Sequence, residues 1–177
     1  MPRSRRIVIG IGNLDRGDDA VGVLVARHVR ASGVTGITVL EQSGEATHLI
    51  QTLSGCDAAF IADAADFGAP PGTVHAFDAA RESVPSALNA QSTHGFGLAH
   101  AIELARALES LPATCRVYAV QIASCDIGRA LSPAVAHAVP IVASQIRQAS
   151  YTLCTDASAE SRSQRRAGVP QPRPWGE

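Results

Sequence analysis

Apolar residues along this chain follow two rhythms. Short unbroken runs of β-branched and aliphatic residues mark strands covered on both faces. Arg6–Ile11 is the first, Ile37–Glu41 the second, and Ala58–Ala62, closing at Asp63, the third. Val74–Phe77 is short enough to lie at an edge, and Arg116–Ile122 reads as a fifth strand. Between them the period lengthens to that of a helix. Asp18 is placed to cap a helix running to about Ala31, with Val21, Leu24, Val25 and His28 or Val29 on one stripe. Thr47–Leu53 and Gly97–Leu108 follow. Ser132-Pro133, a cap and first-turn proline, opens a last helix predicted to reach about Ala149 with a disturbance at Pro140. Gly12–Gly17 and Ala64–Gly72 are loops by their glycine, proline and aspartate content, and Arg81–Thr93 is polar and irregular.

Strands alternating with helices predict an α/β fold, a three-layer α/β/α sandwich around a mostly parallel sheet. Residues 1–154 are expected to form one domain. From Thr155 serine, arginine, glutamine, glycine and proline take over, so 155–177 is expected to be a disordered tail. Its arginines (Arg162, Arg165, Arg166, Arg173) read as a solvated extension rather than a docking element.

Composition narrows the function more than the fold. A net charge of -1 gives no general field toward nucleic acid or an anionic membrane, and neither partner is expected. All fifteen basic residues are arginine, a compositional bias that carries no function. Cys56, Cys115, Cys125 and Cys154 form no CxxC pair and are expected to be reduced thiols. The first residues run into a strand without an apolar leader, so a cytoplasmic location is expected.

Three places carry candidate chemistry. In Gly10-Ile-Gly12-Asn-Leu-Asp15-Arg-Gly17-Asp18-Asp19, a dinucleotide fingerprint would need its third glycine where Asp15 stands. Two acids at the helix start also oppose phosphate there. Asp18 and Asp19 read either as first-turn caps or as ligands. Asp63 ends an otherwise apolar strand, where a carboxylate must be hydrogen-bonded or working. If the first and third strands are those at which the chain reverses its winding, Asp19 and Asp63 face one crevice. His94 precedes a helix in Gln91-Ser-Thr-His94-Gly. Of the other histidines, His28 and His137 fall inside helices, His48 begins one, and His75 lies in the edge strand. His100, the nearest rival, sits within a helix. Two carboxylates and an imidazole suit Ni²⁺ or Zn²⁺ rather than Mg²⁺. No GxSxG elbow or HExxH helix is present.

Gly10-Ile-Gly-Asn13 and Gly17-Asp-Asp19-Ala-Val-Gly22 resemble the opening motif of the [NiFe]-hydrogenase maturation endopeptidases. The resemblance continues through Phe60-Ile-Ala-Asp63-Ala, Pro71-Gly72-Thr73, Ser92-Thr-His94 and Leu131-Ser-Pro133, covering roughly residues 6 to 149. It implies a five-stranded mixed sheet with the fourth strand antiparallel, and three metal-binding positions at Asp19, Asp63 and His94. The implied reaction removes the C-terminal extension of the hydrogenase large-subunit precursor after nickel insertion. The implied metal is nickel held by that substrate, with Zn²⁺ or Cd²⁺ as stand-ins in a crystal. Some members carry an acid followed by paired glycines in a segment linked to substrate recognition. Glu41-Gln-Ser-Gly-Glu45 departs from it here. Rival readings are a non-proteolytic nickel-binding or carrier module of the same fold, a dinucleotide-binding enzyme and a cysteine-dependent hydrolase.

Overall fold

A computed structural model describes residues 5–89 and 97–167. Five strands form one sheet: β1 (Arg6–Ile11), β2 (Thr38–Gln42), β3 (Ala58–Ala65), β4 (Val74–Asp78) and β5 (Thr114–Gln121). Their order is β2-β1-β3-β5-β4. The first four in that order are parallel, and β4 pairs antiparallel with β5 at the edge. The helices are α1 (Val21–Ala31), α2 (Ala46–Leu53), α3 (Ser86–Asn89), α4 (Leu98–Ala107) and α5 (Pro133–Ala167). The expected α/β class, mostly parallel sheet and antiparallel edge strand are all present.

Alternation along the strands divides the core in two, because successive side chains leave opposite faces of a sheet. Ile7, Ile9, Ile11, Ala59, Ile61 and Val117 pack with Leu49 and Leu53 of α2 and Ile102 of α4. Val8, Phe60, Ala62, Tyr118 and Val120 pack with Val25 and Val29 of α1 and Val142 and Ile146 of α5. That is the three-layer sandwich, and it assigns Asp63, in step with Ala59 and Ile61, to the α2/α4 face. Among the described residues, no helix is long and apolar enough to cross a membrane.

Glycine permits a close contact between α1 and the sheet. A Cβ on Gly22 would stand 2.3 Å from the carbonyl oxygens of both Ile11 and Ala62, so α1 lies directly on the ends of β1 and β3. Gly22→Ala is expected to destabilise the protein by about 3 kcal/mol, since the obstacles are backbone atoms. At roughly 2–4 °C per kcal/mol for a chain this size, thermal unfolding should fall by about 6–12 °C. An unchanged midpoint in a circular-dichroism melt would refute the contact.

Three expectations are corrected. Asp18 does not cap α1: Gly17–Ala20 is a 3₁₀ turn leading into the helix, and neither element has a side-chain cap. Strand β3 does not stop at Asp63 but continues to Ala65, because β5 runs beside it and pairs Asp63 with Ala119 and Ala65 with Gln121. Finally, α5 passes through Pro140 and on to Ala167 instead of ending near Ala149. Pro140 and Ala136, whose carbonyl loses its usual partner, are both exposed, so water can take the freed bond. No glycine or proline follows until Gly168, which leaves the helix nothing to stop it. The remaining tail, 168–177, lies outside the described residues.

Candidate functional site

The chain winds from β1 through α1 to β2 on one side, then returns across β1 to β3 on the other, placing the switch point between β1 and β3. Ligands of open α/β sheets bind outside the carboxyl ends of the strands at such a point. The two strands separate at a definite residue. Their pairing ends at Gly10 opposite Ala62, after which the Gly12 N–H turns to the Gln42 carbonyl at the end of β2 (3.1 Å). Asp63 is therefore the first residue of β3 without a β1 partner in the ladder. It opens toward the loop carrying Asp19.

That loop is bent by its own hydrogen bonds. Asn13 N–H donates to Asp19 Oδ2 (2.9 Å), Asp15 N–H to Asn13 Oδ1 (2.9 Å) and Asp19 N–H to the Arg16 carbonyl (3.1 Å). Gly12, at φ +143°, has the Asp19 carbonyl 1.8 Å from where a Cβ would stand. These glycines are used for contact between chain segments. Asp19 ends up 1% exposed at the rim of the sheet.

Burial raises the Asp63 carboxyl to about 7, the Ala64 N–H opposes this with one hydrogen bond (2.8 Å), and the Asp19 charge adds to the rise. The two acids that the sequence placed across one crevice are thus close enough to feel each other's charge. A carboxyl titrating near neutrality can hold or give up a proton at working pH, or ionise when a cation arrives.

Asp18, two hundredths exposed or less like its neighbour, works differently. Its carboxylate accepts from the N–H groups of Ala123 (2.8 Å), Ser124 (3.2 Å) and Ser132 (2.6 Å) and from the Ser132 hydroxyl (3.0 Å). Burial alone would raise its pKa, but these donors outweigh burial and the pKa is lowered. Asp18 therefore ties the first loop to the β5–α5 connection and supports the start of α5, a role the sequence assigned to its own helix. The Gly128 N–H bond to the Asp15 carbonyl (2.8 Å) joins the same two loops.

His94 lies outside the described residues. Among those described, no three His, Cys, Asp or Glu side chains gather as a metal centre requires. The other histidines lie as expected: His28 in α1, His48 in α2, His75 in β4, His100 in α4 and His137 in α5. The cysteine alternative loses ground, since burial raises the thiols of Cys56, Cys115 (to about 12) and Cys125 away from the reactive thiolate.

Two side chains that the sequence gave no reason to single out shape the rim. Gln121, at the end of β5, accepts from the Phe67 (2.8 Å) and Ala69 (3.2 Å) N–H groups and donates to Asp66 (3.0 Å), fastening the β3–β4 loop. Gln42, at the end of β2, donates to Thr52 Oγ1 (2.8 Å), whose own proton goes to the His48 carbonyl (2.8 Å). Only a polar residue in a strand end otherwise built from apolar ones signals either. Glu41 is gripped by Arg27 (2.9 Å) and Arg30 (2.6 Å), and these hydrogen bonds lower its pKa.

Comparison with known proteins yields one consistent result. A hydrogenase maturation protease family model matches residues 24–149. The hydrogenase expression/formation protein HupD of Thiocapsa roseopersicina is 28% identical over 134 residues, covering 73% of this chain. The chain spans 60% of that relative's length. Among solved structures, the hydrogenase maturating endopeptidase HybD from E. coli is similar with a TM-score of 0.66 and 25% identity, over 80% of this chain and 89% of that one. The HycI [NiFe] hydrogenase maturation protease of Thermococcus kodakarensis KOD1 shares the fold with a TM-score of 0.63 and 24% identity, over 83% and 92%. The family model spans β3 with Asp63, all five helices in part or whole, and every strand after β1. With that coverage, and with the acid pair at the sheet's switch point, this chain belongs to the hydrogenase maturation protease family.

Proposed function

We propose that this protein is an endopeptidase that removes the C-terminal extension of a [NiFe]-hydrogenase large-subunit precursor after nickel has been inserted. The observation that carries the reading is the pairing of Asp19 and Asp63 at the point where β1 and β3 part. Both are nearly buried, and two like charges there are costly without a cation to offset them.

In this reading Asp19, Asp63 and His94 meet the nickel carried by the substrate and bring the adjoining peptide bond into the crevice. Nickel polarises the scissile carbonyl or lowers the pKa of a bound water toward neutrality. The water oxygen adds to the carbonyl carbon, the C–N bond breaks, and the departing amine takes the proton. Asp63, with its carboxyl near 7, releases its own proton when it meets the cation. The Glu41–Glu45 segment serves precursor recognition, supported by its place at the carboxyl end of β2, next to β1 and the switch point.

The test is mass spectrometry of nickel-loaded precursor incubated with the purified protein. Loss of the C-terminal peptide is expected, and the nickel-free precursor should remain whole. His94→Ala should slow processing about a hundredfold, the scale for removing one group that acts on the reacting centre. Full processing by that variant would defeat the three-residue assignment. Nickel bound but precursor uncut would favour the carrier-module alternative.

A further inference from the structure

Beside Asp63 the sheet and α4 leave a cavity of about 30 Å³. Phe77, Val84, Leu98, Ile102 and Val117 line it, and among the described residues Asp63 is the one charged residue in its wall. The space holds one or two water-sized groups, but a wall so largely apolar offers water few of the two to four polar partners it needs. Close-packed interiors do not keep such voids without cost, since lining atoms lose their dispersion contacts. Filling this one would have been simple: Ala99 and Ala119 both face it, and either could carry a larger side chain. The void is thus apolar, small and continuous with a carboxylate at the switch point.

We propose that this cavity is a specificity subsite that takes a small aliphatic side chain, of alanine to valine size, from one of the two precursor residues flanking the cut bond. The inference rests on the endopeptidase reading and adds the class of side chain recognised. Its occupant enters from the Asp63 side, which sets the neighbouring peptide bond against the acid pair. Aromatic side chains exceed the space. Charged side chains would be desolvated without a partner.

The experiment first locates the cut by mass spectrometry, then changes each flanking residue of the nickel-loaded precursor to Gly, Ala, Val, Leu, Phe and Asp. Cleavage of the series is compared for the unmodified protein and two variants. Ala119→Val narrows the cavity from a strand position that accepts a β-branched residue. Val84→Ala widens it at a lining residue outside the sheet. The unmodified protein is expected to prefer Ala or Val at one flanking position over Phe and Asp by tenfold or more, the scale on which pocket size discriminates. Ala119→Val should shift that preference about tenfold toward Gly and Ala, and Val84→Ala about tenfold toward Leu. Opposite shifts distinguish a subsite from a packing defect, which would slow every precursor alike. An identical profile in all three proteins overturns the subsite while leaving the peptidase reading intact. Failure of the unmodified protein to cut any precursor overturns the peptidase reading, and the subsite with it.

Discussion

Asp63→Asn should yield a protein that is more stable than the original at pH 8 and at least a hundredfold slower in processing. The two effects share one cause. In the unfolded chain this carboxyl titrates at its ordinary 3.8, whereas burial raises it to about 7 in the fold. An acid whose folded pKa is raised stabilises nothing as it ionises: the protein is most stable below 3.8, where both states hold the proton. Stability then falls as pH rises toward 7, because the unfolded chain has released a proton that the fold still binds. Three units correspond to on the order of 4 kcal/mol by pH 8.

Asparagine keeps the shape and the acceptor for the Ala64 N–H, but carries no charge to desolvate. Its amide protons gain no partner matched to them, which returns about 1–3 kcal/mol of the benefit. A net gain of about 1–3 kcal/mol remains, or roughly 3–10 °C in melting temperature at pH 8. At pH 4 the gain should vanish. The processing loss follows from the missing charge, since a neutral amide cannot neutralise a cation or accept a proton. Thermal melts at pH 4, 6 and 8 together with a precursor assay decide the matter. Equal melting temperatures at pH 8, or normal processing, would show that Asp63 is an ordinary strand residue with no part in the chemistry.

What could be read in advance follows from which interactions are periodic. The strands and helices came from apolar spacing, and burial on both sheet faces depends on little else. Asp63 stood out because a carboxylate in Phe60-Ile-Ala-Asp63 breaks an apolar run. Its real position, inside β3 rather than at the end, depended on β5 extending beside it to Gln121, a distant pairing that no local window contains. The end of α5 was misplaced for the opposite reason. Composition suggested disorder, while helix propagation needs only the absence of a breaker between Pro140 and Gly168. Nor could Gln42 and Gln121 be anticipated, since their partners are brought close only by folding. Asp18 is the instructive case: an acid at a helix start does look like a cap. The groups it caps, however, lie more than a hundred residues away.

Asp18→Asn is therefore expected to unfold the protein readily, by contrast with the stabilising change at Asp63. The Asp18 carboxylate receives three backbone N–H groups and a hydroxyl, so all its neighbours are donors. An asparagine must point its NH₂ at one side of that set. If it replaces Oδ2, it meets Ala123, Ser124 and the Ser132 hydroxyl; if it replaces Oδ1, it meets the Ser132 N–H. At about 1–3 kcal/mol per buried donor left unpaired, the loss comes to about 3–5 kcal/mol, or about 8–15 °C. Its pH dependence runs opposite to that of Asp63. A lowered carboxylate pKa supplies stability that is present above 3.8 and lost as pH falls through the folded value, so the deficit of the variant should be constant at neutral pH and shrink in acid. Ser132→Ala, which removes only the hydroxyl, should lose about 1 kcal/mol. Because Asp18 adjoins Asp19, its loss frees the loop that carries Asp19, and processing should fall even where the variant remains folded. A melting temperature for Asp18→Asn equal to the original would mean that the two loops are held by something other than this carboxylate.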